Sequence, residues 1–257
     1  MTDSFRLISV GQAAKLLGVV PATLRRWEAR GLITSHRAGI KYHRRYYESE
    51  VWTLAAKQPI PHPDLAQLGR YWATQATAPE ISPDYYCATS DRFITRLNRL
   101  ATELKKILGE NAGSLISAIT GEIGNNSFDH NIGNWPDTKG IMFGYDLTNH
   151  RVVLADRGQG VRATLRRSVP TISTDREALT IAFTERVSGR RPESRGNGLK
   201  FVRQVIANAN IKLTFWSGAA QLVVGPHNDR LNLTKSPTLR GCLAIIDFHP
   251  ITNNSTQ

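Results

Sequence analysis

The chain has 257 residues, 40% hydrophobic and 21% charged, with 33 Lys and Arg against 21 Asp and Glu for a formal charge of +12. That is enough apolar material for one large core or two small ones, and it excludes wholesale disorder. Two cysteines, Cys87 and Cys242, exclude a disulfide scaffold and a cysteine-rich zinc site, and no apolar run is long enough to span a membrane.

The positive surplus is concentrated. Residues 1–57 hold ten Lys and Arg against four acids, residues 157–200 again hold ten against four, and the rest of the chain balances. Two separate anion-facing surfaces are expected from this. The first residues, MTDSFRLISVGQ, lack a basic flank followed by an apolar stretch, so a soluble, cytoplasmic protein with no membrane partner is expected.

In chain order, Gln12–Leu17 reads as a short helix ended by Gly18. Pro21 suits the opening turn of a second helix over 22–30, where its missing N–H is not needed. Leu24 and Trp27 face inward at three-residue spacing, which leaves Thr23, Arg25, Arg26 and Arg30 on the outer surface. A basic stretch with interleaved aromatics follows, SHRAGIKYHRRYYESEV, carrying Arg37, Arg44 and Arg45. The run Leu24-Arg25-Arg26-Trp27-Glu28, then Gly31-Leu32-Ile33, then Arg44-Arg45-Tyr46 resembles the helix-turn-helix and wing of the MerR and excisionase families, over about residues 7–56. The resemblance implies that helix 22–30 enters the major groove of double-stranded DNA and that the 36–46 wing rides on phosphates. Thr23, Arg25, Arg26, Arg30, Arg37, Arg44 and Arg45 would then be the DNA-binding residues. No long heptad helix follows residue 56, so binding as a monomer or a homodimer formed by another surface both stay open.

Residues 58–84 carry Pro59, Pro61, Pro63, Pro79 and Pro83 and read as a linker with at most one short helix. Helices are expected over 90–108, where Phe93, Leu97, Leu100, Leu104 and Leu108 recur at helical steps, and over 112–130. Strand-like runs come next at 140–146 and 150–156, then a basic segment with a helix near 175–184. A further helix is expected at 198–209, with strands at 211–216, 220–224 and 241–248. Helices first and antiparallel-looking strands afterwards imply an α+β fold.

Three constellations in the second half carry chemistry. Glu122 and Asn126 are four apart on one helix face, with Asp129 and His130 one turn on. Strand 150–155 runs into Asp156-Arg157-Gly158-Gln159-Gly160, an arrangement that suits a nucleobase: the carboxylate accepts an exocyclic amine and the glycines let backbone approach the ring. Gly196-Asn197-Gly198-Leu199 opens a helix, where free N–H groups face phosphate. In this order the three boxes resemble the GHKL ATPases (gyrase, heat-shock chaperone, histidine kinase, MutL) over about residues 90–250. Ala182–Arg186 and the closing strand Arg240–Phe248, with Cys242 at a threonine position, resemble further segments of that family.

The resemblance implies a Bergerat-type α/β sandwich with a mixed sheet, and a division into a helix-turn-helix at 1–57, a linker at 58–89 and an ATP-binding domain at 90–257. It implies ATP and Mg²⁺ as cofactors. Asn126 would coordinate the metal, Glu122 would be the catalytic residue acting on the attacking water, and Asp129 would support the adenine pocket. Asp156, Gly158 and Gly160 would hold adenine, while Gly196, Gly198 and Leu199 would line the triphosphate. Residues 161–195 would form a lid, with Arg190, Arg191 and Arg195 clamping phosphate. Together the modules imply a DNA-binding regulator that binds, and by Glu122 hydrolyses, ATP, with nucleotide state controlling DNA or protein-partner binding. An anti-sigma-type serine/threonine kinase and a sensor that never turns ATP over use the same residues and stay open.

Overall fold

The computed structural model describes residues 6–38, 43–57, 64–185 and 198–249. No described helix is long and apolar enough to cross a membrane. The N-terminal unit runs β1 (Leu7–Ser9), α1 (Val10–Leu16), α2 (Pro21–Ala29), β2 (His36–Ala38), β3 (His43–Tyr47) and α3 (Glu48–Lys57). Ser9 caps α1: its hydroxyl accepts from the Gln12 N–H, and the Gln12 side chain accepts from the Ser9 N–H at 2.9 Å. Pro21 stands at the first turn of α2 as its fixed φ favours. The strands pair antiparallel in the order β1-β3-β2, which is the expected wing. Ala13, Ala14, Leu17, Leu24, Ile33 and Tyr46 close a small core beneath both helices.

The rest of the chain builds α4 (Leu65–Thr74), β4 (Tyr86–Cys87), α5 (Ser90–Leu108), α6 (Glu110–Asn131), β5 (Ile141–Asp146), β6 (Arg151–Asp156), α7 (Gly160–Leu165), α8 (Asp175–Thr184), α9 (Gly198–Ala207), β7 (Ile211–Val224) and β8 (Asn232–Phe248). The five strands order β4-β5-β6-β8-β7. Every described pairing in this sheet is antiparallel, which corrects the expectation of a mixed sheet. The crossover through α7, α8 and α9 does deliver β7 parallel to β6. However, β8 lies between the two strands and turns both contacts antiparallel. The runs expected at 211–216 and 220–224 are one strand, because a register shift at Ser217–Ala220 absorbs the interruption without ending the pairing.

Alternation along the strands sends side chains to two cores. Val152, Leu154, Ala244 and Ile246 face α5, α6, α8 and α9, meeting Phe93, Ile119, Phe183 and Val202 on what is here called the front face. Val153, Ala155, Leu243 and Ile245 face the back, where α4 supplies Leu65, Leu68 and Trp72. That core continues without a break into the N-terminal unit through Trp52, Leu24 and Ile8. Residues 65–74 lie inside the stretch read as a linker and form a buried layer instead. Pro63 and Pro79 bracket this helix, Asp64 caps it by accepting from the Gln67 N–H at 3.1 Å, and its apolar positions share one face. Gly69 is the point of closest approach: a Cβ there would lie 2.9 Å from Val153 and 3.0 Å from Leu243.

Candidate functional site

Helix α6 runs along the front core on its apolar side and presents Glu122, Asn126 and Asp129 half-buried along the other. The start of α9 meets it there. A Cβ on Gly198 would stand 2.6 Å from Glu122 Oε2 and 3.2 Å from Asn126 Nδ2, so any larger residue would push these two side-chain ends aside. Among the described residues, neither Glu122 nor Asn126 has a side-chain hydrogen-bond partner. The fold thus gathers a carboxylate, a carboxamide and the free N–H end of a helix, from positions 122, 126 and 198. Leu199 is half-buried against the front core, seating α9.

Asp156 ends β6 and is 2% exposed. Its Oδ2 accepts from the Ser127 hydroxyl at 2.8 Å and its Oδ1 from the Gly158 N–H at 2.9 Å. Burial pushes its carboxyl up to about 6, against the lowering effect of the hydrogen bonds from Gly158, Ser127 and Cys242. Cys242 lies across from Asp156 in the β6–β8 register, and burial raises its thiol well above the usual value. Gly158 packs onto Asn131, where a Cβ would fall 2.1 Å from the amide nitrogen. Gly160 has φ +77° and begins α7, whose next N–H, that of Val161, donates to the Ser217 hydroxyl at 2.9 Å.

Ser127 and Asn131 escaped the sequence reading. Asn131 is 4% exposed; its amide donates to the Ser127 carbonyl at 2.8 Å and its oxygen accepts from the Gln159 N–H at 2.9 Å. It pins the Asp156–Gly160 loop to α6. Their signal was present as polar residues five and nine positions after Glu122, on the helix flank turned towards the loop.

Arg157 behaves unlike the rest of the second basic stretch. It is fully buried and faces the back of the sheet, which corrects its assignment to an anion-facing surface. Its guanidinium donates to the Trp72 carbonyl, to the Gln75 carbonyl at 2.8 Å, and to Asp137 Oδ2 at 2.6 and 3.0 Å. Burial works to raise the Asp137 carboxyl, but the Arg157 hydrogen bond, the Thr138 N–H and the charges of Arg157 and Arg240 hold it below its usual value. Arg162 is also paired, with Asp175 at 3.2 Å. Arg190, Arg191, Arg195 and Gly196 lie outside the described residues.

In the N-terminal unit, Arg25 and Arg26 are exposed on α2 and Arg30 at its C-terminal cap, and Thr23 accepts from Arg26 at 2.9 Å. On the wing, Arg37 and Arg44 stand directly opposite each other across β2 and β3, and Arg45 is half-buried beside them. Like charges in that position repel unless an anion lies over them. Glu28 anchors the wing to α2: it accepts from Ser35 and, at 3.1 Å, from Tyr46, and it lies 3.5 Å from Arg44. The Ser35 hydrogen bond first, with Tyr46 and the charges of Arg44 and Arg37, holds the Glu28 carboxyl low against the raising effect of burial. Burial and Glu28 push the Tyr46 phenol up to about 12.

Residues 9–47 match the MerR family regulatory protein model. The match runs from the last residue of β1 to the end of β3, including every residue expected to touch DNA. Among solved structures, the chain is similar to the 43K ATPase domain of Thermus thermophilus gyrase B, determined in complex with an aminocoumarin. The identity is 13%, the similarity covers 66% of this chain and 43% of that one, and the TM-score is 0.34. The chain therefore spans less than half of that structure's length. No curated protein matches the chain.

Proposed function

We propose that this chain is a DNA-binding regulator that binds ATP with Mg²⁺, hydrolyses it through Glu122, and changes its hold on DNA or a protein partner with the nucleotide state. The observation that carries the nucleotide reading is the convergence of Gly198 on Glu122 and Asn126, beside a buried carboxylate at the end of β6.

The residues fit their proposed tasks. The Asn126 carboxamide offers a hard, uncharged oxygen for Mg²⁺. No group of three or more His, Cys, Asp or Glu among the described residues could hold a metal alone, so the ion would arrive with the phosphates. Magnesium would supply neutralisation of the phosphate charge there. Glu122, beside the α9 N-terminus, would orient a water next to the terminal phosphate and take its proton. Asp156, already bonded by Ser127 and Gly158, would accept the adenine amine and would be held ionised by it. Arg190, Arg191 and Arg195 would clamp phosphate from the lid.

A physical route supports control of DNA binding. Asp156 and Arg157 leave β6 on opposite faces. Arg157 holds the C-terminal carbonyls of α4, and Tyr71 of α4 stacks on Trp52 of α3, with ring centroids 6.0 Å apart. Helix α3 follows the wing strand β3 directly. A shift of the Asp156 loop would thus bear on the N-terminal unit through packed groups.

The test is ATP binding, phosphate release and DNA affinity, measured with Mg²⁺ on the wild type, Asn126→Ala and Glu122→Ala. The reading expects binding lost in Asn126→Ala, release lost but binding kept in Glu122→Ala, and a DNA affinity that ATP changes only where ATP binds. DNA affinity indifferent to ATP in the wild type sinks the coupling. Label transferred from ATP to a protein partner would assign the same site to a kinase, and binding without release to a sensor.

A further inference from the structure

A cleft of ≈ 570 Å³ opens between α5 and β5 and shares no lining residue with the site around Glu122 and Asp156. Its floor and walls carry Arg92, Arg96 and Arg99, at four- and three-residue steps along one face of α5, together with Tyr85, Tyr145 and Asp84. Two of the three guanidiniums are held in place by neutral backbone. Arg92 donates to the Pro83 carbonyl at 2.9 Å. Arg96 donates to the Asp84 carbonyl and, at 2.9 Å, to that of Phe143, whose ring lies 5.2 Å below it. Arg99 makes no hydrogen bond or ion pair among the described residues.

Six arginines elsewhere in the fold are used differently. Arg6, Arg151, Arg157, Arg162, Arg203 and Arg240 each face a carboxylate within 3.3 Å. In the cleft three cations sit on one helix face, where they repel, and none of the three forms a salt bridge among the described residues. A guanidinium fork aimed by backbone carbonyls is preorganised for the paired oxygens of a phosphate. The volume is far more than a bare phosphate fills and falls in the range of small organic ligands. The half-buried Tyr85 and Tyr145 offer ring faces to a flat body, and Asp84 an acceptor at its edge.

We propose that this cleft binds a small phosphorylated molecule of the size of a nucleoside monophosphate, its phosphate on Arg92, Arg96 and Arg99 and its flat body against Tyr85 and Tyr145. The site is independent of the ATP reading and stands or falls apart from it.

The test is calorimetric titration of the full chain with uridine 5′-monophosphate, whose base lacks the exocyclic amine that Asp156 would accept. The expected result is one site, binding at least about tenfold tighter than uridine. The double variant Arg92→Gln/Arg99→Gln, both positions being exposed, loses about tenfold or more with unchanged thermal unfolding, and Asp156→Ala keeps wild-type affinity. Arg99→Lys, which keeps the charge and removes the fork, falls between. Binding no tighter than uridine, or a double variant that binds like the wild type, overturns the proposal. Inorganic phosphate binding as tightly as the nucleotide overturns its size. Displacement of the nucleotide by an unrelated DNA duplex overturns it in favour of a DNA-backbone contact.

Discussion

On the front of the five-stranded sheet Asp156 is 2% exposed and bonded only by neutral donors, and its carboxyl is pushed up to about 6. On the back its chain neighbour Arg157 is 0% exposed, yet its charge is matched by Asp137 and its N–H groups by the carbonyls of α4. Both faces are apolar around these two residues. On the proposed reading, a polar group left for a ligand is thus told apart from one consumed by the fold. A buried charge with its own counter-ion is structural, whereas a buried carboxyl without one gains from a ligand that donates to it.

The largest effect is expected at the back of the sheet. Trp72 is 1% exposed in the back core, so Trp72→Ala is expected to destabilise the chain by about 3–5 kcal/mol in denaturant titration. It should loosen the N-terminal unit in the same transition. Two separated transitions with the second unaltered would show that α4 does not join the two cores.

The front is tested by pH. Asp156 has its carboxyl raised in the fold, so its protonated form is the favoured one. The associated stability is complete below about pH 4 and is lost as pH rises through about 6, amounting to about 3 kcal/mol by pH 7. Asp156→Asn should remove that part of the slope. An unchanged stability–pH profile between 4 and 7 would show that the carboxyl is compensated after all.

The smallest effect belongs to the wing. Arg44→Ala relieves the repulsion with Arg37, gives up the ion pair with Glu28 and, on the proposed reading, removes one phosphate contact. Stability should hold within about 0.5 kcal/mol, while DNA affinity falls about tenfold and the salt slope drops by about 1. An unaltered salt slope would take Arg44 off the DNA-binding surface.

Much of this was legible in the residues. Ser9, Pro21 and the 3.6-residue spacing on α5 act within a few positions, so local chemistry decided those elements. The pairing of Glu122 with Asn126 was readable because one helix sets their geometry. The prolines around residues 65–74 signal a linker with one short helix, and they carry no sign that this helix is buried against the sheet. The strands held the missing signal: HRVVLAD and CLAIIDF run apolar without alternation, which means both sheet faces are covered. With α5, α6, α8 and α9 on one face, residues 65–74 were the segment available for the other.

The local elements, the helix-turn-helix with its basic wing and the three polar boxes were all legible in the amino-acid order, since each depends on neighbours in the chain. Packing set the rest: Gly198 rests on Glu122, Ser127 and Asn131 brace the Asp156 loop, and Arg157 turns inward to Asp137 and α4. Packing also placed β8 between β6 and β7, which made the sheet antiparallel. These are contacts between residues far apart in sequence, and they arise when chain closure brings two surfaces together, which no local periodicity encodes.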